Sequence, residues 1–107
     1  MGEWLRRQSA FAQDRCIDRL MQLRTLGHEL RRPWAAPLRG GVFELRVRER
    51  KVRVRMLYFF HGRGVAVVSH GFRKSGSEVP PREIDRALAR KTRYQADPEG
   101  CYVLWEP

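Results

Sequence analysis

The chain has 107 residues, a length typical of one compact domain, with 22 Lys or Arg residues against 12 Asp or Glu residues and a formal net charge of +10. Its hydrophobic fraction of 42% is too high for a disordered basic tail, and no apolar run approaches the ~20 residues of a membrane span. The N-terminus lacks the apolar segment of a signal peptide, and two cysteines, Cys16 and Cys101, are too few for a disulfide scaffold. We therefore expect residues 1–107 to form a single domain in the cytoplasm.

The first predicted element is helical and covers residues 1–27, with a break near Ser9. Gly27 is expected to end it, because glycine adopts the left-handed conformation that a helix C-terminus often requires. Residues 28–41 contain two prolines and two glycines and are predicted to form a loop. Four apolar residues recur at spacings of three and four, and so share one face of the helix: Ala12, Cys16, Leu20 and Leu23.

Residues 42–74 are predicted to form antiparallel strands, because apolar and polar side chains alternate along 42–48 and 51–56. The short connection Glu49-Arg50 predicts a hairpin, and a third strand follows over 65–72. A second helix is predicted over 81–94, where Pro81 suits the first turn and Glu83 complements the helix dipole. Residues 95–107 form a tail, in which Cys101 to Trp105 either adds an edge strand or packs loosely.

The predicted fold class is therefore α+β. N-terminal helices pack on a small twisted antiparallel sheet of three to four strands, and a C-terminal helix follows.

Basic residues are concentrated in the predicted hairpin, where six of the ten residues from Arg46 to Arg55 are Arg or Lys. Like charges on adjacent strands repel, so such a face is unfavourable unless an anion meets it. A phosphate backbone is a suitable anion, because arginine binds phosphate through a planar, two-pronged contact. The alternative is a solvated face whose arginine stems cover apolar surface. Four arginines are predicted to share this face: Arg46, Arg48, Arg53 and Arg55.

The sequence contains no pair of carboxylates suited to acid–base catalysis and no Ser–His–Asp or Cys–His arrangement, and it predicts no metal or cofactor site. Lys, Arg, His and Tyr can still cleave RNA through its 2′-OH, given a base, cations to stabilise the phosphorane and a proton for the leaving oxygen. Lys74, at the end of the last strand, is a candidate. His70 is expected on the same side as Val68, as a buried histidine. Tyr94 either stacks on a base or anchors the last helix.

Several segments together resemble the phage-derived, HigB-like branch of the RelE/ParE toxin superfamily, over residues 20 to 97. The segments, in chain order, are Pro37 to Arg46 (PLRGGVFELR), Arg55 to His61 (RMLYFFH), Val68 to Lys74 (VSHGFRK), Val79-Pro80, Glu83-Ile84 and Ala87-Leu88. Their order is typical of the family, although no single segment is.

The resemblance implies the toxin of a type II toxin–antitoxin system, acting as a metal-independent, ribosome-dependent mRNA endoribonuclease that inhibits translation. It implies as partners the ribosome, mRNA and a helix-turn-helix, HigA-like antitoxin, in a toxin–antitoxin heterotetramer or with a toxin homodimer. The family's basic catalytic positions fall on Arg46, Arg55 and Lys74. Five further residues are assigned to RNA binding: Arg48, Lys51, Arg53, Arg73 and Tyr94.

The family usually opens with a β-strand, whereas this chain begins at Gly2-Glu3-Trp4 with a predicted helix. Losing that strand would expose a sheet edge that a partner or the C-terminal tail must cover. Two other functions are considered. One is a gyrase-poisoning, ParE-like toxin, and the other is a degenerate, non-catalytic toxin that only binds antitoxin or nucleic acid.

Overall fold

The computed structural model describes residues 2–62, 64–74, 76 and 78–97 and has the predicted α+β fold. The helices are α1 (Gly2–Arg6), α2 (Ala10–Leu26) and α3 (Pro81–Ala96), with a short 3₁₀ helix at Gly27–Glu29. The strands are β1 (Ala35–Pro37), β2 (Val42–Glu49), β3 (Val52–His61) and β4 (Val65–Arg73). They form one antiparallel sheet in the order β1-β2-β3-β4.

The N-terminal helices begin and end where the sequence predicts. Ser9 breaks the helical region, because its Oγ accepts a hydrogen bond from the Ala12 backbone N–H at 3.2 Å and so caps α2. Gly27 ends α2 with a φ of 53°, and its N–H donates to the Leu23 carbonyl.

The prediction of an uninterrupted loop over 28–41 is wrong, because Ala35–Pro37 pairs with β2 as a short edge strand. Ala36 lies opposite Glu44, and the Arg46 N–H donates to the Trp34 carbonyl at 2.7 Å. Proline is tolerated in an edge strand because its missing N–H would face outward. The sheet therefore has four strands, and Ala35–Pro37, as β1, is the strand that the sequence did not predict. The tail segment Cys101 to Trp105 lies outside the described residues.

The two faces of the sheet are covered differently. Helices α1 and α2 cover one face, where the main core includes Leu45, Met56 and Tyr58. Helix α3 covers half of the other face, where Ala87 packs against Val42 and Leu57. The remaining half of that second face, near the β2–β3 turn, carries the predicted arginine face.

A β-bulge in β4 changes which side chains share a face. Leu57 pairs with His70 while Tyr58 pairs with Val68, so Ser69 is the extra residue. Val68 therefore packs against the core on the α2 side, and His70 contacts Glu83 of α3. His70 is buried, as predicted, but the prediction that it shares a side with Val68 is wrong because of the bulge.

Helix α1 rests on β4 through one close contact. A Cβ atom at Gly71 would lie 2.7 Å from the ring of Trp4, so only glycine allows the indole to approach the strand this closely. This contact places α1 next to the edge strand β4.

Candidate active site

The β2–β3 pairing brings the predicted arginines together on one face. Arg46 lies directly opposite Arg55, and Arg48 lies directly opposite Arg53. The Lys74 N–H donates to the Arg53 carbonyl at 3.0 Å, which extends the pairing of β4 with β3 by one residue. Five basic residues thus converge at the end of the sheet that α3 leaves uncovered: Arg46, Arg48, Arg53, Arg55 and Lys74. We call these the basic cluster.

A carboxylate that the sequence reasoning left without a role lies inside this cluster. Glu44 is 4% exposed, and its Oε1 accepts a hydrogen bond from Nε of Arg46 at 2.6 Å and forms an ion pair with Nη2 of the same arginine at 2.6 Å. Its Oε2 lies 3.6 Å from Nε of Arg55. The period-two alternation already placed Glu44 on the same face as Arg46, and this signal was sufficient to find it. A search for paired carboxylates misses it, because a single buried carboxylate orients cations instead.

Arg55 lies beneath the surface and not on it. The residue is 6% exposed, and its Nη1 donates to the Val54 carbonyl at 3.2 Å. Its Nε is buried without a hydrogen-bond partner among the described residues. Burial lowers the pKa of the Arg55 guanidinium from its ordinary value; Glu44 opposes this shift, and neighbouring arginines add to it. The site therefore holds a desolvated cation whose field acts on any anion above it.

Lys74 is half-buried at the edge of the basic cluster. Burial lowers the pKa of Lys74, and the nearby positive charge of Arg55 lowers it further. A lysine of this kind gives up its proton more readily than an exposed one. Arg46 has the more accessible guanidinium of the Glu44-bound pair, with 27% of its side chain exposed against 7% for Arg55.

Two other predicted RNA-binding residues, Arg73 and Lys51, lie outside the basic cluster. Arg73 pairs with Val54, whose side chain belongs to the core on the α2 side, so Arg73 lies on the opposite face from the basic cluster. Lys51 is exposed in the β2–β3 turn.

Tyr94 does not fit its predicted RNA-stacking role in this conformation. It is 3% exposed, and its ring centroid lies 5.6 Å from that of Phe59 and 5.1 Å from that of His61. A ring enclosed in this way cannot present a face to a base, which agrees with the helix-anchor interpretation.

A buried polar network joins the bulge to α3. The Oγ of Ser69 lies 2.8 Å from Nδ1 of His70, and Nε2 of His70 lies 3.1 Å from Oε1 of Glu83. Ser69 is 0% exposed, so this Ser–His–Glu arrangement cannot reach a substrate and serves to fasten the helix to the strand. Within the described ranges, no group of three or more His, Cys, Asp or Glu residues is placed to hold a metal ion.

The chemistry open to this site is that of clustered cations. Glu44 is the one carboxylate seen to contact the cluster among the described side chains, so the local balance is strongly positive. Clustered cations of this kind can bind a phosphate and can stabilise negative charge that develops on it.

The family model described as "Phage derived protein Gp49-like (DUF891)" matches residues 3–92, which include every element from α1 to most of α3. A search of curated proteins finds no match to the chain. Over the part of the chain that the structure describes, no helix has the length and apolar character needed to cross a membrane.

Proposed function

Because the chain belongs to the Gp49-like family of phage-derived proteins, a RelE/ParE-like toxin family, we propose that it is the toxin of a type II toxin–antitoxin system that cleaves mRNA on the ribosome. We include in this proposal its place in the HigB-like branch and its action in the cytoplasm. One observation carries the proposal: five basic residues cluster at one end of the sheet, and two of them, Arg46 and Arg55, contact one buried carboxylate. This arrangement suits phosphate chemistry and lacks the acidic pair of a two-carboxylate hydrolase.

The proposed reaction is attack of the RNA 2′-oxygen on the adjacent phosphorus. The 2′-OH loses its proton to a base as the new O–P bond forms, and the bond from phosphorus to the 5′-oxygen breaks. The leaving oxygen takes up a proton, so the products are a 2′,3′-cyclic phosphate and a 5′-hydroxyl. The reaction needs no external oxidant, reductant or metal, and its main electrostatic demand is the extra negative charge on the pentavalent phosphorus.

The residues divide this work according to their exposure. Arg46 contacts the scissile phosphate, because its guanidinium is partly exposed and is held in place by a hydrogen-bonded ion pair with Glu44. Arg55 stabilises the same charge from below, where low solvent exposure strengthens its field. Lys74 serves as a further cation or as the base, a role that its lowered pKa favours. Arg48 and Arg53 bind the flanking phosphates, with Lys51 at the periphery.

The activity is restrained by an antitoxin partner. A helix-turn-helix antitoxin neutralises the toxin by covering the basic cluster, which removes the phosphate site from solvent. The assembly is a toxin–antitoxin heterotetramer or contains a toxin homodimer. The messenger RNA and ribosome compete with the antitoxin for the same positive surface.

The test is induction in cells with mapping of transcript 5′ ends, using Arg46→Gln and Lys74→Gln beside the wild type. Arg24→Gln is the matched control, since Arg24 is an exposed arginine in the last turn of α2 and its substitution removes the same charge. We expect codon-phased cuts with wild type and control, and their loss in the two cluster variants. Arg55→Ala should also abolish cleavage. Because Arg55 is buried beside Glu44, Arg55→Lys is the comparison variant, since it keeps a positive charge at this position.

The other outcomes separate the alternatives. Growth arrest with a DNA-damage response and no transcript cuts would indicate gyrase poisoning. Absence of arrest with folded wild-type protein would indicate a non-catalytic protein that only binds antitoxin or nucleic acid.

A further inference from the structure

A second basic surface lies on α3, outside the basic cluster. Arg82, Arg86, Arg90 and Arg93 follow one another at spacings of four, four and three. At ~100° per residue these spacings confine the four side chains to an arc of about 80°, along roughly 16 Å of helix. Arg82, Arg86 and Arg93 are exposed, and Arg90 is half-buried. We call this row the α3 arginine row.

Neither acid of α3 forms an ion pair with this row among the described residues. Glu83 contacts His70, and Asp85 pairs with Arg39 on the other side of the helix. Arg82 and Arg86 form no ion pair within the described residues. Like charges three and four residues apart on a helix repel one another. Burial lowers the pKa of Arg90, and the charges of Arg86 and Arg93 lower it further.

The row is oriented by contacts with β4. Nη1 of Arg90 donates to the Ser69 carbonyl, and Glu83 is held by His70, so this flank of α3 runs along the β4 edge of the sheet. The helix begins near the basic cluster, because Phe72, which pairs with Arg55, lies in the same apolar cluster as Val79. The row therefore starts beside the proposed phosphate site and leads away from it on the same side of the sheet.

We propose that the α3 arginine row binds an RNA backbone and guides it toward, or docks it beside, the basic cluster. The three exposed guanidinium groups of this row lie along one line and suit the repeated phosphates of an RNA backbone, which arginine binds through a planar, two-pronged contact. This inference deepens the proposed function by adding a second RNA surface, and it can be tested without any cleavage.

The test measures binding of a fluorescein-labelled, 20-nucleotide 2′-O-methyl RNA, which cannot be cleaved through the 2′-oxygen. The variant is Arg82→Gln/Arg86→Gln/Arg93→Gln. The matched control is Arg6→Gln/Arg24→Gln/Arg31→Gln, which removes three exposed arginines outside α3 and leaves the same net charge as the row variant. Fluorescence anisotropy is recorded at 50 to 200 mM salt, and cosedimentation with 70S ribosomes tests whether ribosomal RNA uses the same surface.

We expect the row variant to bind this RNA about tenfold or more weakly at 50 mM salt. Its log–log salt slope should be smaller in magnitude by about 2, since each single-strand phosphate contact contributes about 0.7. The control should keep the wild-type slope. Equal losses in both variants would show a general charge effect and overturn the inference. So would loss of binding to a poly-glutamate peptide with RNA binding unchanged.

Folding is controlled by a charge-preserving variant, Arg82→Lys/Arg86→Lys/Arg93→Lys. Its RNA affinity and salt slope should stay close to those of wild type, since lysine also contacts phosphate. The Tm of the glutamine variant should not fall, because removing like charges relieves repulsion along the helix. If cells show no mRNA cleavage but the row variant still loses RNA affinity, the proposed nuclease fails and the α3 surface stands. If cleavage is confirmed but the row variant binds like the control, the surface fails alone.

Discussion

Replacing Glu44 by glutamine removes the negative charge that holds Arg46 and Arg55 in place, at almost unchanged volume. Glu44 accepts a hydrogen bond of 2.6 Å from Nε of Arg46, whose side chain is 27% exposed, forms an ion pair with Nη2 of that residue, and lies 3.6 Å from the buried Nε of Arg55. A hydrogen bond to a charged group contributes ~1.5–3 kcal/mol, and breaking one partner of a buried ion pair costs ~3–5 kcal/mol. Because the glutamine oxygen still accepts from Arg46, we expect a loss near the lower limit, about 3 kcal/mol.

The assay is urea unfolding at pH 7.5, with the transition midpoint and the m-value both fitted. Glu44→Gln should lower the midpoint with an unchanged m-value. Asp14→Asn is the control, since Asp14 is an exposed acid of α2 and should change stability by no more than about 0.5 kcal/mol.

A double-mutant cycle with Arg55→Met tests the physical cause. Once the Arg55 charge is gone, losing the Glu44 charge should cost less, with a coupling free energy of about 1 kcal/mol or more. A Glu44→Gln protein as stable as wild type, or additive effects in the cycle, would refute the view that Glu44 holds the cluster together.

Three further predictions concern the site and its supports. Inorganic phosphate should raise the Tm of the wild type more than chloride at equal ionic strength, because an anion bound only to the folded state stabilises it, and Arg46→Gln should weaken this effect. Burial lowers the pKa of His70 below its ordinary 6.5, with further lowering by Arg86 and Arg90 and opposition from Glu83. Just below pH 6.5 the unfolded state therefore binds more protons than the folded state. The free energy of unfolding should fall as the pH drops through this range, by at most about 1.4 kcal/mol per pH unit. Thermal melts between pH 7.5 and 5.5 measure this dependence, and His70→Gln should remove it. Gly71→Ala should destabilise the protein by about 1–3 kcal/mol in urea unfolding, since the added methyl group would lie 2.7 Å from the Trp4 ring. An unchanged unfolding midpoint would mean that α1 does not rest on β4.

Local sequence patterns determined much of this protein. Two-residue alternation predicted the β2–β3 hairpin and placed Arg46, Arg48, Arg53 and Arg55 on one face, since successive strand side chains point to opposite sides. The sequence predicted a break near Ser9, and helix periodicity predicted α2 and α3. These features depend on residues close together in the chain, which is why they can be read without a tertiary structure.

Contacts between distant segments decided the rest. Ala35–Pro37 is a strand only because β2 is there to pair with it, and the Ser69 bulge, which turns His70 toward α3, shows only in the register with β3. Burial likewise separates the site residues: Tyr94 packs against Phe59 and His61, and Arg55 is buried beside Glu44, while Arg46 stays partly open. Alternation assigns a side chain to a face of the sheet, but the depth of that side chain depends on what packs over the face. The sequence alone therefore determined which residues could form the basic cluster, and the tertiary structure decided which of them an anion can reach.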